Sequence, residues 1–325
     1  MVFALALTGP TASGKTALSI SLARELGCEI ISCDSMQIYR GMNIGTAKAT
    51  EEEQSFVPHH LIDLISPLES FSAEDYREAA VRAARDIAAR GKIPLFVGGT
   101  GLYIDTVMRG VSEAPPSSEE YRKKLLDNAK TEEDVQALWD RLHEVDPEAA
   151  DAIHKNNVKR VVRALEIYDL SGKPKSYFDK LSLSASSEVR VKMITLDFHN
   201  RESLYKRVDE RVDAMTSQGL VEEVKDLYEK GLLKSGGTAT AAIGYKEIIG
   251  YLEGRSTLPE AIELIKLSTR RYAKRQLTWF RHEKDAIRLY SDREDGSLKP
   301  KDELIAEALS VAKKIINTEF PKEKV

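Results

Sequence analysis

The sequence has little of what marks secreted, membrane-spanning or disulfide-built proteins. Its only two cysteines in 325 residues are Cys28 and Cys33, and their spacing matches neither a redox pair nor a zinc site. No apolar run approaches the roughly 18 residues of a spanning helix. The apolar start at residues 2–7 has no basic segment before it and no small-residue cleavage site after it. We therefore expect a cytoplasmic protein without a membrane segment.

The chain also has little net charge. The chain has 48 Lys and Arg against 52 Asp and Glu, a formal net charge of -4. A strong basic excess would attract nucleic acids over the whole surface, so its absence means that any RNA site must be a local basic patch. The hydrophobic content of 42% is that of a water-soluble globular protein with a substantial core.

The first hundred residues alternate between strand and helix patterns. Residues 3–8 form an apolar run typical of a buried strand, and residues 28–32 form a second. Between them, leucines recur at helical spacing until Gly27, and a third apolar run over residues 93–97 ends at Gly98. This alternation predicts a parallel α/β sheet flanked by helices.

The pattern becomes helical from Ala114 through Leu170, with helix-start signals at Thr131 and Asp146. An alternating strand pattern returns over residues 191–198, and the chain after it is predicted to be helical, at 201–217, 221–230 and about 258–282. We expect residues 1–113 and 190–325 to form one core, and residues 114–189 to form a helical insertion domain.

The segment GPTASGKT at residues 9–16 matches the Walker A pattern, with a strand pattern before it and a helix pattern after it. In a P-loop the backbone amides converge on phosphate oxygens, the lysine adds a charge and the threonine can hold Mg²⁺. The sequence therefore predicts a P-loop NTPase-like sheet whose diphosphate site comprises Gly9, Thr11, Ala12, Ser13, Gly14, Lys15 and Thr16. The alternative is a tight strand-to-helix turn that binds no ligand.

Two positions narrow the chemistry of this P-loop. Gly98 stands where many nucleotide hydrolases carry an aspartate for Mg²⁺, which disfavours an ATPase motor and leaves small kinases and other users of diphosphates. Asp34 closes the second predicted strand, and strand ends in such sheets face the ligand crevice. A carboxylate repels a bound phosphate. A carboxylate at this position therefore indicates either a nearby cation or a role in proton transfer. The alternative is that Asp34 caps the turn at residues 35–37.

Several longer blocks carry a resemblance to a known family. They are DSMQIYRGMNIGTAK at 34–48, PHHLID at 58–63, GGTGLY at 98–103, AIGY at 242–245 and AKRQLTWFR at 273–281. Together with the P-loop they closely resemble the bacterial type of tRNA dimethylallyltransferase, also called tRNA isopentenyltransferase. The resemblance runs from about Leu5 to Arg281.

The resemblance implies a reaction and its site. The family transfers a dimethylallyl group from dimethylallyl diphosphate to N6 of adenosine 37, in the tRNA anticodon stem-loop, and releases diphosphate with Mg²⁺ present. By resemblance Asp34 is the general base, Lys15 and Thr16 attend the diphosphate, and Thr16 is the metal ligand. An arginine of the helix at 201–211, assigned here to Arg211, also meets the diphosphate. Residues on the tRNA side are Asp34, Ser35, Met36, Gln37 and Thr100. No obligate protein partner is implied.

Two groups of cations are candidates for contacting tRNA. Lys159, Arg160 and Arg163 lie in one helical run, and the family match places that segment against tRNA. The alternative is a solvated face in which Arg163 pairs with Glu166. The second group lies in the basic run at 270–281 and consists of Arg270, Arg271, Lys274, Arg275 and Arg281, interleaved with aromatic residues. Such a stripe suits phosphate contact and base stacking, although many charge runs are only solvated faces.

Other functions remain open on the sequence alone. An adenylate isopentenyltransferase acting on free AMP or ATP would share the core chemistry but would not need two basic helical surfaces. A small-metabolite P-loop kinase is disfavoured by the Asp34 block. A non-catalytic RNA-binding module would leave the complete P-loop unexplained.

Overall fold

The computed structural model describes residues 1–109, 114–184, 187–234 and 236–319. Its contacts divide the chain into two compact units, one made of residues 1–108 and 188–325 and the other of residues 109–187. The insertion was expected at 114–189, so the bounds of the second unit lie within five residues of that expectation. No helix in the described ranges is long and apolar enough to cross a bilayer.

The first unit is built on one parallel six-stranded sheet, which confirms the predicted α/β class. Its strands are β1 (Val2–Thr8), β2 (Cys28–Cys33), β3 (His59–His60), β4 (Ile93–Gly98), β5 (Val189–Asp197) and β6 (Ile287–Tyr290), in the order β3-β2-β4-β1-β5-β6. The central strands read as apolar runs because both faces of the sheet are covered.

Helices cover both faces of this sheet. The helices of the first unit are α1 (Lys15–Leu26), α2 (Glu51–Phe56), α3 (Ala73–Ala89), α4 (Gly101–Met108), α10 (Arg201–Ser217), α11 (Leu220–Glu229), α12 (Tyr245–Leu252), α13 (Leu258–Arg281) and α14 (Lys301–Glu319). Side chains of β1 alternate between faces: Ala4 and Ala6 pack with α3 and α4, whereas Leu5 and Leu7 pack with α1 and α14.

A further apolar cluster forms beside the sheet. Helices α10 to α13 bury Val212, Leu220 and Tyr245 against Ile38 and Met42, which belong to the chain that follows β2. The packing fixes that chain next to the carboxyl ends of the strands, where the site described below lies.

The second unit is entirely helical in its described part, with α5 (Glu119–Asp127), α6 (Glu132–Val145), α7 (Pro147–Ala152), α8 (Val158–Ser171) and α9 (Lys175–Ser184). The two predicted helix starts are correct. Thr131 and Asp134 form a reciprocal capping box on α6, and the Asp146 side chain caps α7 by accepting from the Ala149 N–H. Leu142, Val161 and Leu165 are at the centre of its core.

The chain after residue 198 was expected to be helical only, and that expectation is wrong at one place. Residues 287–290 form β6, which extends the sheet by pairing with β5, before α14 begins. Two of its four side chains are exposed, as befits a short edge strand. The run is too short to show a two-residue period, and it therefore gave no strand signal.

Two glycine-to-alanine substitutions should change stability in opposite directions. At Gly98 an added Cβ would collide with the Cys33 backbone on the neighbouring strand, so Gly98→Ala should lower the free energy of unfolding by at least about 1–3 kcal/mol. At Gly250, inside α12, the nearest atom to a new Cβ is 3.8 Å away, and Gly250→Ala should stabilise by about 0.5–1 kcal/mol. Urea denaturation of both variants checks this. Equal effects at the two positions would contradict the close strand approach.

Candidate active site

The loop between β1 and α1 has the conformation of a phosphate cradle. Gly9 and Gly14 have φ values of 138° and 93°, in the region that favours glycine. The Lys15 ammonium turns back over the loop and donates to the carbonyls of Gly9 at 2.9 Å and Pro10 at 2.6 Å. Lys15 and Thr16 line a cavity of about 300 Å³ at the start of α1. The predicted P-loop therefore borders an open cavity, and diphosphate binding there stays a prediction.

Asp34 lies at the edge of the same cavity, directly after β2. Its Oδ1 accepts from the Met36 N–H at 2.9 Å, so the turn over residues 35–37 does use the carboxylate, as the capping alternative supposed. Burial raises the pKa of this carboxyl, while the Met36 N–H and the charges of Lys15 and Arg211 oppose that rise. A carboxylate with a raised pKa beside two cations is suited to proton transfer.

Two arginines of α10 reach the cradle, and they do different things. The Arg207 Nε donates to the Ala12 carbonyl at 2.7 Å, which fixes the loop itself. Arg211, the residue predicted to meet the diphosphate, lines the cradle cavity together with Lys15 and Asp34. Burial lowers the pKa of Arg211, and the Asp34 carboxylate counteracts this. The sequence could not decide between these arginines, because both lie on the same face of the helix.

The charge on Lys15 depends on its surroundings. Burial, followed by repulsion from Arg211, lowers the pKa of Lys15 to about 7, although the Asp34 carboxylate pulls it upward. An anion in the cradle would favour the ammonium form. Lys15 is therefore set to gain charge when a phosphate binds.

A second cavity, of about 480 Å³, adjoins the cradle. The two share part of their lining: Thr11, Asp34, Thr46, Arg211 and Tyr272. Elsewhere the second cavity is lined by apolar side chains such as Met215, Leu220 and Ile243, and by the basic residues Lys246, Arg271 and Arg275. An anionic group in the cradle and a mostly apolar or aromatic group in the second cavity would thus meet at Asp34.

The other residues predicted on the tRNA side hold the chain near Asp34. The Thr100 hydroxyl accepts from the Ser35 N–H at 3.1 Å. The Gln37 amide donates to the carbonyls of Thr46 and Ala47. Ser35 and Met36 line the second cavity, whereas Gln37 lines the cradle. Contact of these four residues with tRNA stays a prediction.

Gln276 was not singled out from the sequence, yet it joins two loops of the site. Its Oε1 accepts from the Thr11 N–H at 2.8 Å, and its Nε2 donates to the Gly99 carbonyl at 2.8 Å. The residue is buried on α13. A signal existed, because a polar amide stands between the apolar positions Ala273 and Leu277, where a buried side chain needs hydrogen-bond partners.

Fewer cations of the basic run on α13 are available to contact phosphate than the sequence suggested. Arg270 pairs with Asp209 at 2.6 Å, and Arg281 pairs with the buried Asp197 at 2.6 Å. Both arginines are therefore engaged in ion pairs within the protein. Arg271, Lys274 and Arg275 are exposed and share one helical face. Three of the five predicted cations therefore remain as candidates for phosphate contact.

The basic residues of α8 divide in the same way. Lys159 and Arg160 are exposed. Arg163 donates to Glu166 at 2.6 Å and to the Pro115 carbonyl at 2.8 Å, and the Glu166 side chain is fully buried. The sequence alternative of a local ion pair therefore describes Arg163, while Lys159 and Arg160 keep their predicted role as candidates.

A divalent cation would find few protein ligands at this site. Within the described ranges no group of three or more His, Cys, Asp or Glu residues could hold a metal. Mg²⁺ commonly takes one or two protein oxygens together with substrate phosphates and waters. The Thr16 hydroxyl in the cradle fits that donor set.

The chain is similar to known proteins over most of its length. Residues 37–283 match the family model described as IPP transferase. A tRNA dimethylallyltransferase of Thermoanaerobacter sp. is 48% identical over 85% of this chain and 87% of its own length. The chain belongs to the tRNA dimethylallyltransferase family. Among solved structures, the full-length tRNA isopentenylpyrophosphate transferase of Bacillus halodurans is similar, with 42% identity, a TM-score of 0.71 and coverage of 98% of both chains.

A second solved structure extends the likeness within the dimethylallyltransferases. A eukaryotic dimethylallyltransferase acting on tRNA has a TM-score of 0.81 and 28% identity, and the match covers 100% of this chain and 81% of that one.

Lys15 should take up a proton when dimethylallyl diphosphate binds. At about pH 8, above its pKa of about 7, the side chain is mostly neutral, and the bound anion restores the ammonium form. Affinity should therefore fall as pH rises above about 7. Titration calorimetry in buffers of different ionisation enthalpy measures the protons taken up. Lys15→Arg, which stays charged throughout, should take up fewer protons. Equal uptake by both proteins would contradict the prediction.

Arg160 and Arg163 should respond differently to alanine substitution. Arg160→Ala should lower the salt slope of log K for tRNA by about 0.7–0.9 and leave stability unchanged. Arg163→Ala should lower the free energy of unfolding by about 1–3 kcal/mol, because the buried Glu166 loses its ion pair with Arg163 and keeps only Arg122 and the Ser118 N–H, and should keep the wild-type slope. Salt titrations and urea denaturation of each variant test this. If Arg163→Ala lowered the salt slope of log K for tRNA and left stability unchanged, Arg163 would be a tRNA contact instead.

Proposed function

We propose that this protein transfers the dimethylallyl group of dimethylallyl diphosphate to N6 of adenosine 37 in tRNA and releases diphosphate. The observation that carries the proposal is the position of Asp34, between a phosphate cradle and a second cavity lined by both apolar and basic side chains. Membership of the tRNA dimethylallyltransferase family supports the choice of donor and acceptor.

The acceptor needs a base. The lone pair of an adenine N6 amine is delocalised into the ring, so the amine becomes an effective nucleophile only if its proton is removed as the new C–N bond forms. A carboxylate within hydrogen-bond reach can contribute about 10²–10⁴-fold in this way. Asp34 is the carboxylate at the junction of the two cavities. We infer that Asp34 accepts the N6 proton.

The donor needs stabilisation of its leaving group. Cleavage of the allylic C–O bond leaves negative charge on the diphosphate, and Lys15 and Arg211, which line the cradle, can stabilise that charge. The Thr16 hydroxyl would hold Mg²⁺, whose charge would help to stabilise the leaving group. Arg207 holds the loop through the Ala12 carbonyl and so keeps the cradle in shape.

The acceptor also has to leave its base stack. Unstacking an adenine costs a few kcal/mol, and the cost is least in an unpaired loop such as that of the anticodon. Arg271, Lys274 and Arg275, exposed on α13 beside the second cavity, can contact the phosphates around such a loop. These exposed cations favour tRNA over free AMP as the acceptor.

Substitution of Asp34 tests the assignment. Asp34→Asn keeps the size of the side chain and part of its hydrogen bonding, but the amide cannot take a proton. The rate of transfer from labelled dimethylallyl diphosphate, in single turnover at saturating tRNA, should fall by at least about 10². The affinity for tRNA should change little.

The matched control is Asp302→Asn, which makes the same change at an exposed position of α14 and should leave the rate unchanged. An Asp34→Asn rate within about threefold of wild type would show that Asp34 is not the base. If tRNA binding weakened while the chemical step was spared, Asp34 would instead be a recognition residue.

A further inference from the structure

Glu223, on α11, holds a loop that forms part of both cavities. Its Oε2 accepts from the backbone N–H groups of Asn43 at 3.0 Å and Ile44 at 2.8 Å. Its Oε1 accepts from the Gly45 N–H at 3.1 Å and from the Tyr245 hydroxyl at 2.6 Å. An ionised carboxylate offers about four lone-pair sites, and these four donors use them all.

The groups around the Glu223 carboxylate form an anion-binding site. Successive backbone N–H groups that point the same way form a concavity that binds anions. The fully buried Tyr245 orients Glu223 and packs its ring on Gly45, where an added Cβ would lie 2.5 Å from the ring. Burial and the nearby Glu223 charge raise the pKa of Tyr245, so its hydroxyl stays a donor.

The loop over residues 43–47 connects this clamp to the reaction centre. Gly45 and Thr46 line the second cavity, and Thr46 also lines the cradle. The Thr46 and Ala47 carbonyls accept from the Gln37 amide at 3.2 and 3.3 Å. Gln37 in turn accepts from Ser32, two residues before Asp34. A shift of the loop would therefore change the junction of the two cavities and the support of the Asp34 segment.

The opposite side of the loop is held separately. The buried Lys48 ammonium donates to the Tyr39 carbonyl at 2.9 Å, to Asn43 at 3.0 Å and to Asp63 at 2.6 Å. This second anchor keeps the end of the loop attached to the fold when Glu223 is altered. The loop can then be displaced locally by a substitution at Glu223.

We propose that Glu223, oriented by Tyr245, is a positioning residue for the transfer step. It fixes the 43–47 loop so that the allylic carbon and the acceptor nitrogen meet at Asp34 and water is kept out. Glu223 itself touches neither reacting atom. The inference rests on the proposed function, and a misplacement of about 1 Å in such a wall can cost about 10²-fold in rate.

Glu223→Gln is the direct test. An amide has one acceptor oxygen, and its NH₂ group would face backbone N–H donors, so the loop should lose its fixed position. The single-turnover rate of transfer to tRNA should fall about 10- to 100-fold, whereas KM for each substrate should change by no more than about threefold.

A second readout separates positioning from stability. In the absence of correct alignment, water can attack the allylic carbon: a C–O bond to water forms, the C–O bond to diphosphate breaks, and the water proton passes to solvent. The ratio of dimethylallyl alcohol to prenylated tRNA should therefore rise in Glu223→Gln. A variant that only unfolds more easily would lose both products in proportion.

Two further variants complete the experiment. Tyr245→Phe removes only the hydroxyl, keeps the ring against Gly45 and should raise the same ratio by a smaller amount; it carries the test if Glu223→Gln does not fold. Glu222→Gln, the same change at the exposed neighbouring position, should behave as wild type. An unchanged product ratio in Glu223→Gln or, failing that variant, in Tyr245→Phe would overturn the inference. Absence of any transfer to tRNA by the wild-type protein would overturn the proposed function itself.

Discussion

The alignment of three parallel strand ends is the constraint on which the site depends. Thr8 of β1, Gly98 of β4 and Cys33 of β2 lie at one level across the sheet. The P-loop and Asp34 leave the sheet from the two outer strands of this trio. The central position has to be glycine, because any side chain there would meet the Cys33 backbone. That small residue allows a carboxylate and a phosphate cradle to share one cavity.

The burial of these charges next to one another explains why the pKa of each group is shifted. Asp34, Lys15 and Arg211 all lose water on burial, and each of the three is partly stabilised by an opposite charge among the others. A bound diphosphate would add negative charge on the side of the two cations. The site thus has a reason to hold a carboxylate near a phosphate: the cations serve the leaving group, while the carboxylate serves the proton of the acceptor.

Helix α13 connects the two ends of the proposed reaction. Its buried Gln276 ties the P-loop to the loop after β4, and its exposed Arg271 and Arg275 line the second cavity. Arg270 and Arg281 anchor the same helix to the core through carboxylates. One rigid element therefore sets the donor cradle and the basic surface in a fixed relation.

Much of this could be predicted from the sequence, for reasons that particular residues make clear. The P-loop and Asp34 were found because local spacing and strand position determine them. Burial and distant partners were not accessible: Arg270 and Arg281 look like surface cations until Asp209 and Asp197 are known to pair with them. The pairing of Arg163 with Glu166 was named as an alternative, but the burial of Glu166 could not be predicted. The Glu223 clamp joins residues almost 180 positions apart and leaves no local pattern. β6 was missed because four residues are too few to show a period.

The most direct test of the central claim is nucleoside analysis of tRNA after reaction. Unmodified tRNA, the protein, Mg²⁺ and isotopically labelled dimethylallyl diphosphate are incubated together, and the tRNA is digested and separated by mass spectrometry, with free AMP as a parallel acceptor. The account predicts the label on N6 of adenosine from tRNA, as a dimethylallyl group that replaces one hydrogen with a net gain of C5H8, and none on AMP. Label on AMP alone, or no prenylated nucleoside at all, would contradict it.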